Sequence, residues 1–201
     1  MFFTTKDKIH KERKITYENF ICNIRPQKSE THCVRLTSGG NKLDYPGDPS
    51  SPAVSLLNVK IHLNITISRA KHNSRYMCID IKNFSLGTTM KYFQYMRIHK
   101  KFILQEVLDK YDIIFDDRDF TYVEIRRGMY GLKEAGVIAF DQLIQKLKRF
   151  GYEPMPQTPG IWKHTSRRTT FTLCVDDFGI QYFSKDDANH LINAIRATYE
   201  C

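Results

Sequence analysis

The chain has 201 residues, 41% of them hydrophobic and 26% charged, and a formal net charge of +9. This is the composition of a globular chain that can bury a core, as one domain or a pair of subdomains, and it excludes a disordered or low-complexity protein. No run approaches the roughly eighteen apolar residues of a membrane span, and Met1-Phe2-Phe3 gives way at once to Thr4, Thr5 and Lys6. The expectation is an intracellular protein with no membrane partner. Cys22, Cys33, Cys78, Cys174 and Cys201 are odd in number, widely spaced and free of any CxxC pair, so neither a disulfide framework nor a zinc ribbon is indicated. A Cys22, His32 and Cys33 ligand set lacks a fourth partner at suitable spacing.

The charge is uneven along the chain. Residues 1–79 hold 13 Lys and Arg against 6 Asp and Glu, and residues 80–201 hold 18 against 16, so seven of the nine surplus charges lie in the first part. A basic N-terminal region fits a surface that attracts phosphate.

In chain order, residues 1–14 are polar and Lys-rich and read as a tail, a frayed end or a solvated face. Ser38 to Pro52 carries most of the Gly and Pro punctuation and reads as an exposed loop. Arg75 to Ile79 is a short β-prone run that stops at Asp80. Gln105 to Tyr111 reads as a brief helix, followed by an acidic turn from Phe115 to Phe120. Thr121 to Arg126 alternates as a half-buried strand does, with Val123 and Ile125 on one side. From Glu134 to Phe150, the residues Phe140, Leu143, Ile144, Leu147 and Phe150 recur at helical spacing, and Gly151 ends that helix.

Two β-prone runs follow, Gly160 to His164 and Thr169 to Val175, the second continuing past Asp176-Asp177 into Phe178 to Phe183 as a hairpin with two carboxylates at its tip. Ser184 with Asp187 forms a capping box, opening a helix that presents Ala188, Leu191, Ile192, Ile195 and Tyr199 on one face. This order of elements points to an α+β fold, an antiparallel sheet covered on one face by helices.

Two carboxylates at a hairpin tip, with a third at the end of a strand nearly a hundred residues earlier, form the donor set of a two-metal phosphoryl-transfer site. Two Mg²⁺ ions about 4 Å apart need hard oxygen ligands shared from separate rigid elements. An Asp pair alone is weak evidence, since Asp116-Asp117 and Asp186-Asp187 read as turn and helix-start residues. The apolar strand Phe171 to Val175 before Asp176 distinguishes this pair, because it sets the carboxylates at the end of a buried strand.

The segments CIDIKNFSLGT (Cys78 to Thr88), RRGMYGLKEAG (Arg126 to Gly136) and LCVDDFGI (Leu173 to Ile180) resemble three successive blocks of copia-type retrotransposon reverse transcriptases, in order and approximate spacing. RPQK (Arg25 to Lys28) and VRLTSGG (Val34 to Gly40) are similar to fingers strands of the same proteins, so the resemblance covers most of residues 20–200. It implies a right-hand polymerase with fingers over about 15–72 and 92–120, a palm over about 73–91 and 121–201, and no thumb. It further implies Asp80, Asp176 and Asp177 as catalytic carboxylates, with Asp80, Asp176 and the Ile81 carbonyl holding Mg²⁺ or Mn²⁺. Arg35, Phe84, Ser85, Tyr130, Gly131 and Lys133 would line the nucleotide site. The partners would be an RNA or DNA template with its primer and deoxynucleoside triphosphates, in a cytoplasmic particle or the nucleus.

Three positions depart from that pattern. Cys174 stands where the family has an aromatic residue, Ser85 where related elements have Tyr or Phe, and Gly136-Val137 where a Pro-Arg pair is common. The competing readings are a remnant that binds nucleic acid without catalysis and an unrelated Mg²⁺-dependent nuclease or phosphotransferase. The want of a GxSxG elbow or a matched Cys and His arrangement weighs against a Ser or Cys hydrolase.

Overall fold

A computed structural model of the chain describes residues 1–27, 30–43, 45, 47, 48 and 53–201. Lys28 of the Arg25 to Lys28 run, and residues 44, 46 and 49–52 of the expected Ser38 to Pro52 loop, lie outside the described residues. The elements begin with β1 (Phe2–Thr4), β2 (Ile15–Ile24), β3 (His32–Ser38), α1 (Leu56–Ser68), β4 (Arg75–Asp80), β5 (Thr89–His99) and α2 (Gln105–Lys110). They continue with β6 (Phe120–Arg127), α3 (Lys133–Arg149), β7 (Tyr152–Pro154), β8 (Ile161–His164), β9 (Thr170–Cys174), β10 (Asp177–Tyr182) and α4 (Lys185–Arg196). The described residues thus form an α+β fold of two five-stranded sheets and four α-helices. None of these helices is long and apolar enough to cross a membrane.

The chain divides into two compact units, Met1–Pro49 with Ser85–Gly136, and Ser50–Phe84 with Val137–Cys201. The expected boundaries differ at residues 50–72, 85–91 and 121–136. β6 belongs to the first unit because it pairs with β1 and β5, and α1 belongs to the second because it packs on β4, β9 and β10. The charge asymmetry along the sequence also disappears here. The first unit holds 18 Lys and Arg against 14 Asp and Glu, the second 13 against 8.

In the first unit the sheet runs β1-β6-β5-β2-β3, antiparallel except for the β2 and β5 pair. Successive side chains alternate between its faces. Met96 and Ile98 on β5 with Val123 and Ile125 on β6 are buried on one face, and Tyr95, Arg97, Tyr122 and Glu124 point to the other. Residues 2–4 correct the reading of 1–14 as a tail: Phe2 and Phe3 supply strand-forming rings to the edge of β6, where Phe3 pairs with Val123.

In the second unit the sheet runs β4-β10-β9-β8-β7, antiparallel throughout. One face is apolar, and there Phe171, Leu173, Phe178 and Ile180 meet Phe140, Leu143 and Leu147 of α3 and Leu191, Ala194 and Ile195 of α4 in one core. Burying each such side chain contributes about 1.5–3 kcal/mol. Gly151, at φ +83°, ends α3 where a Cβ would stand 2.8 Å from the His164 ring. Ser184 caps α4, its Oγ accepting the Asp187 N–H at 3.1 Å. On α4, Ala194 is buried while Ile192 is only half-buried, and Tyr199, expected on the same face, lies half-buried beyond the end of the helix at Arg196.

The expectation of helices on one face is corrected by α1. The other face of this sheet carries Thr170, Thr172 and Gln181, and α1 brings the buried His62 and Thr66 to it. His62 Nε2 lies 3.0 Å from Thr170 Oγ1, which donates to Gln181 Oε1, and Gln181 Nε2 donates to Ser74 Oγ. Buried polar groups need such partners, so a polar layer replaces an apolar one there.

Candidate active site

β9 and β10 turn back on each other at Val175-Asp176, with Cys174 paired to Asp177. A turn this tight needs a positive φ at its first central residue, a position glycine favours. Here Val175 holds it, at φ +59°. A β-branched residue in that region is an outlier costing on the order of 1–3 kcal/mol, and such strain concentrates at functional sites.

The third carboxylate arrives through sheet register. β10 pairs with β4 so that Asp177 lies opposite Asp80, and the Ile81 N–H donates to the Asp176 carbonyl at 3.1 Å. Directly opposed residues have Cα atoms about 4.5–5.5 Å apart. Asp80, Asp177 and Cys174 therefore form one row across β4, β10 and β9, with Asp176 at the tip beside it. The rest of this end is packed: Ile81 is buried in the core, and a Cβ on Gly179 would meet the Tyr76 hydroxyl at 2.0 Å.

The electrostatics follow the geometry. Partial burial raises the Asp176 carboxyl above the usual carboxylate range, the negative charges of Asp80 and Asp177 push it the same way, and a backbone hydrogen bond opposes them. This donor set is of hard oxygens, the chemistry that suits Mg²⁺ or Mn²⁺. Among the described residues, no group of three or more His, Cys, Asp or Glu side chains is arranged to hold a metal ion. The donor types fit such an ion, and binding one by three carboxylates requires a side chain to turn.

The expected nucleotide-site residues lie mostly in the first unit. Arg35 on β3 places its guanidinium 5.3 Å from the Tyr130 ring centre. The Ser38 N–H donates to the Tyr130 carbonyl at 2.8 Å, and Gly131, at φ +91°, leaves only 2.0 Å between a notional Cβ and the Ser38 carbonyl oxygen. Lys133 Nζ donates to the Leu43 carbonyl at 3.1 Å. Arg35, Tyr130, Gly131 and Lys133 are thus tied to the segment from Arg35 to Leu43. Ser85 is half-buried, and its carbonyl accepts the Thr88 N–H at 3.2 Å.

Phe84 does not share that environment. Its ring is 5% exposed in the core of the second unit, 5.8 Å from the ring of Tyr199, and is withdrawn from any ligand. Residues 82–87 are a run of turns, with Asn83 at φ +55°.

No protein-family model matches the chain, and no curated protein matches its sequence. Sequence reasoning missed a cleft of the first unit lined by Tyr17, Arg97 and Tyr122 from its sheet and by Lys6 and Lys42 from short turns beside it. The alternation of β5 was the signal available for it.

Proposed function

We propose that the chain is the fingers and palm portion of a copia-type reverse transcriptase, which transfers a deoxynucleotidyl group from its triphosphate to a primer 3′-hydroxyl on an RNA or DNA template, with pyrophosphate leaving. The observation that carries this reading is the Val175-Asp176 tip, held with a strained Val175 and registered so that Asp177 opposes Asp80. The second unit acts as palm and the first as fingers. A divalent ion bound by Asp80, Asp176 and the Ile81 carbonyl would supply Lewis-acid activation of the hydroxyl and charge neutralisation at the triphosphate. Asp177 adds a second carboxylate beside Asp80, and the Val175 turn fixes where Asp176 presents its own.

Extension of a labelled DNA primer on an RNA template with Mg²⁺ or Mn²⁺ tests this. Asp80→Asn and Asp176→Asn each lower the rate by roughly a thousandfold or more, since metal-held charge stabilisation is worth several kcal/mol. Extension that survives both substitutions refutes the reading. Retained primer–template binding with no extension by the unsubstituted chain supports nucleic-acid binding without catalysis instead.

A further inference from the structure

Four strands of the first unit place one row of side chains on the open face of its sheet. Thr4 pairs with Tyr122, Tyr122 with Arg97, and Arg97 with Tyr17, across β1, β6, β5 and β2. The next row on the same face is Phe2, Glu124, Tyr95 and Ile15. Over the first row opens a cleft of about 380 Å³, lined by Ile15 and Thr16 together with Lys6, Tyr17, Lys42, Arg97 and Tyr122. Among the described residues, three cations line it and no carboxylate does.

Lys6, Lys42 and Arg97 make no ion pair among the described residues, and the Arg97 guanidinium stands 5.0 Å from the centre of the Phe120 ring. Asp116, which borders Tyr122, is already occupied. It accepts the N–H groups of Arg118 and Phe120 and the Tyr122 hydroxyl. Asp116 keeps its negative charge beside Tyr122, its oxygens taken up by those donors, while the described lining of the cleft is cationic in a unit whose total charge is only mildly basic.

We propose that this cleft binds a nucleotide unit, its phosphate held by Arg97, Lys42 and Lys6 and its base laid against the Tyr17 ring. A guanidinium meets phosphate oxygens in a two-point fork, and the lysines add point charge. An aromatic ring beside such a group offers a base a stacking surface worth about 1–3 kcal/mol. The volume is within the range of small-ligand sites. The nucleotide unit comes either as a free mononucleotide or as part of a single strand. The site lies wholly in the first unit and does not depend on the Asp80, Asp176 and Asp177 chemistry.

The test uses the full chain carrying Asp176→Asn, so that the carboxylate site is disabled in every arm, and follows the anisotropy of a labelled oligothymidylate. Arg97→Gln and Lys42→Gln each weaken binding roughly tenfold and lower the salt slope by about one, whereas Lys60→Gln on α1, an equal loss of charge elsewhere, changes neither. If Arg97→Gln lowers the melting temperature, Lys42→Gln, an exposed residue, carries the comparison. Adenosine monophosphate that displaces the strand identifies the free nucleotide as an occupant, and loss of affinity in the variants without such displacement identifies the strand. The proposal is overturned if the two variants behave as Lys60→Gln does, or if pyrophosphate or oligoglutamate displaces the strand as well as adenosine monophosphate.

Discussion

The two units solve the same stability problem with different materials. Among the described residues, the largest fully buried side chains of the second unit include Tyr152, Phe171, Phe178, Leu143, Leu147 and Leu191, whereas the first unit contributes Met96 and Ile125. The first unit instead leaves rings at its surface, with Phe2 53%, Tyr92 65% and Tyr111 51% exposed, and pairs several with cations, as Arg126 is with Phe2 and Phe93. Close backbone approaches take the place of apolar mass, as where Gly131 and Ser38 meet. The second unit, with the larger rings and leucines in its core, carries the carboxylates at its rim, and the first, whose buried face is built of smaller side chains such as Met96, Ile98, Val123 and Ile125, leaves cations and rings on its other face.

Leu143→Ala bears on this contrast most strongly. It removes a fully buried side chain between α3 and the second sheet, and a loss of about 2–5 kcal/mol is expected. Hydrogen exchange should show protection falling in β9 and β10 first. Equal loss in β5 and β6 would break the distinction between the units.

Gly131→Ala is the corresponding cut in the first unit. The positive φ alone costs an alanine about 1–3 kcal/mol, and the 2.0 Å approach to the Ser38 carbonyl adds to it. The expected signature is lost protection at Ser38, whose N–H is held by Tyr130. A melting temperature like that of the unsubstituted chain would show that the approach is not what holds the segment.

The smallest effect has the opposite sign. Because the Asp176 pKa is raised in the folded state, the stability linked to this group is complete below the unfolded carboxylate range and is lost as pH rises through the folded value. At neutral pH the ionised group is a liability, so Asp176→Asn should raise the melting temperature there and leave it unchanged near pH 3. Discounted for its partial exposure, the gain is below about 1 kcal/mol. A fall at neutral pH would contradict the account of charge crowding at the hairpin tip.

The parts of this fold that could be read from the sequence are those whose signal is local. α3 and α4 appear in the spacing of their apolar residues, the Ser184 cap in its chemistry, and the β9 and β10 hairpin in two β-prone runs flanking an Asp pair. The missing parts depend on remote partners. β1 is three residues whose pairing lies at 122–124, far along the chain. In α1, Leu56, Leu57, Ile61, Ile65 and Ile67 are all well exposed and the residues it buries are His62 and Thr66, so its apolar pattern marks no buried face. The residues of the carboxylate site were named from the resemblance, but the opposition of Asp80 and Asp177 is a property of register. Phe84, named from the resemblance, is buried in the core of the second unit within a run of turns that no local apolar spacing marks.

That register also fixes an order of events during synthesis. β4 lies at the edge of its sheet and pairs with β10 alone, so every hydrogen bond it makes to another strand waits for residues 177–182. At about 5–20 residues per second, the ribosome takes on the order of 5–20 s to travel from Asp80 to the end of β10. Through that interval β4 has no strand to pair with, while β2 and β3 can close as a hairpin as soon as both have emerged. The neighbourhood of Asp80 and Asp177 thus forms only once residues 177–182 have emerged, and a nascent chain released before β10 lacks it whatever else has folded.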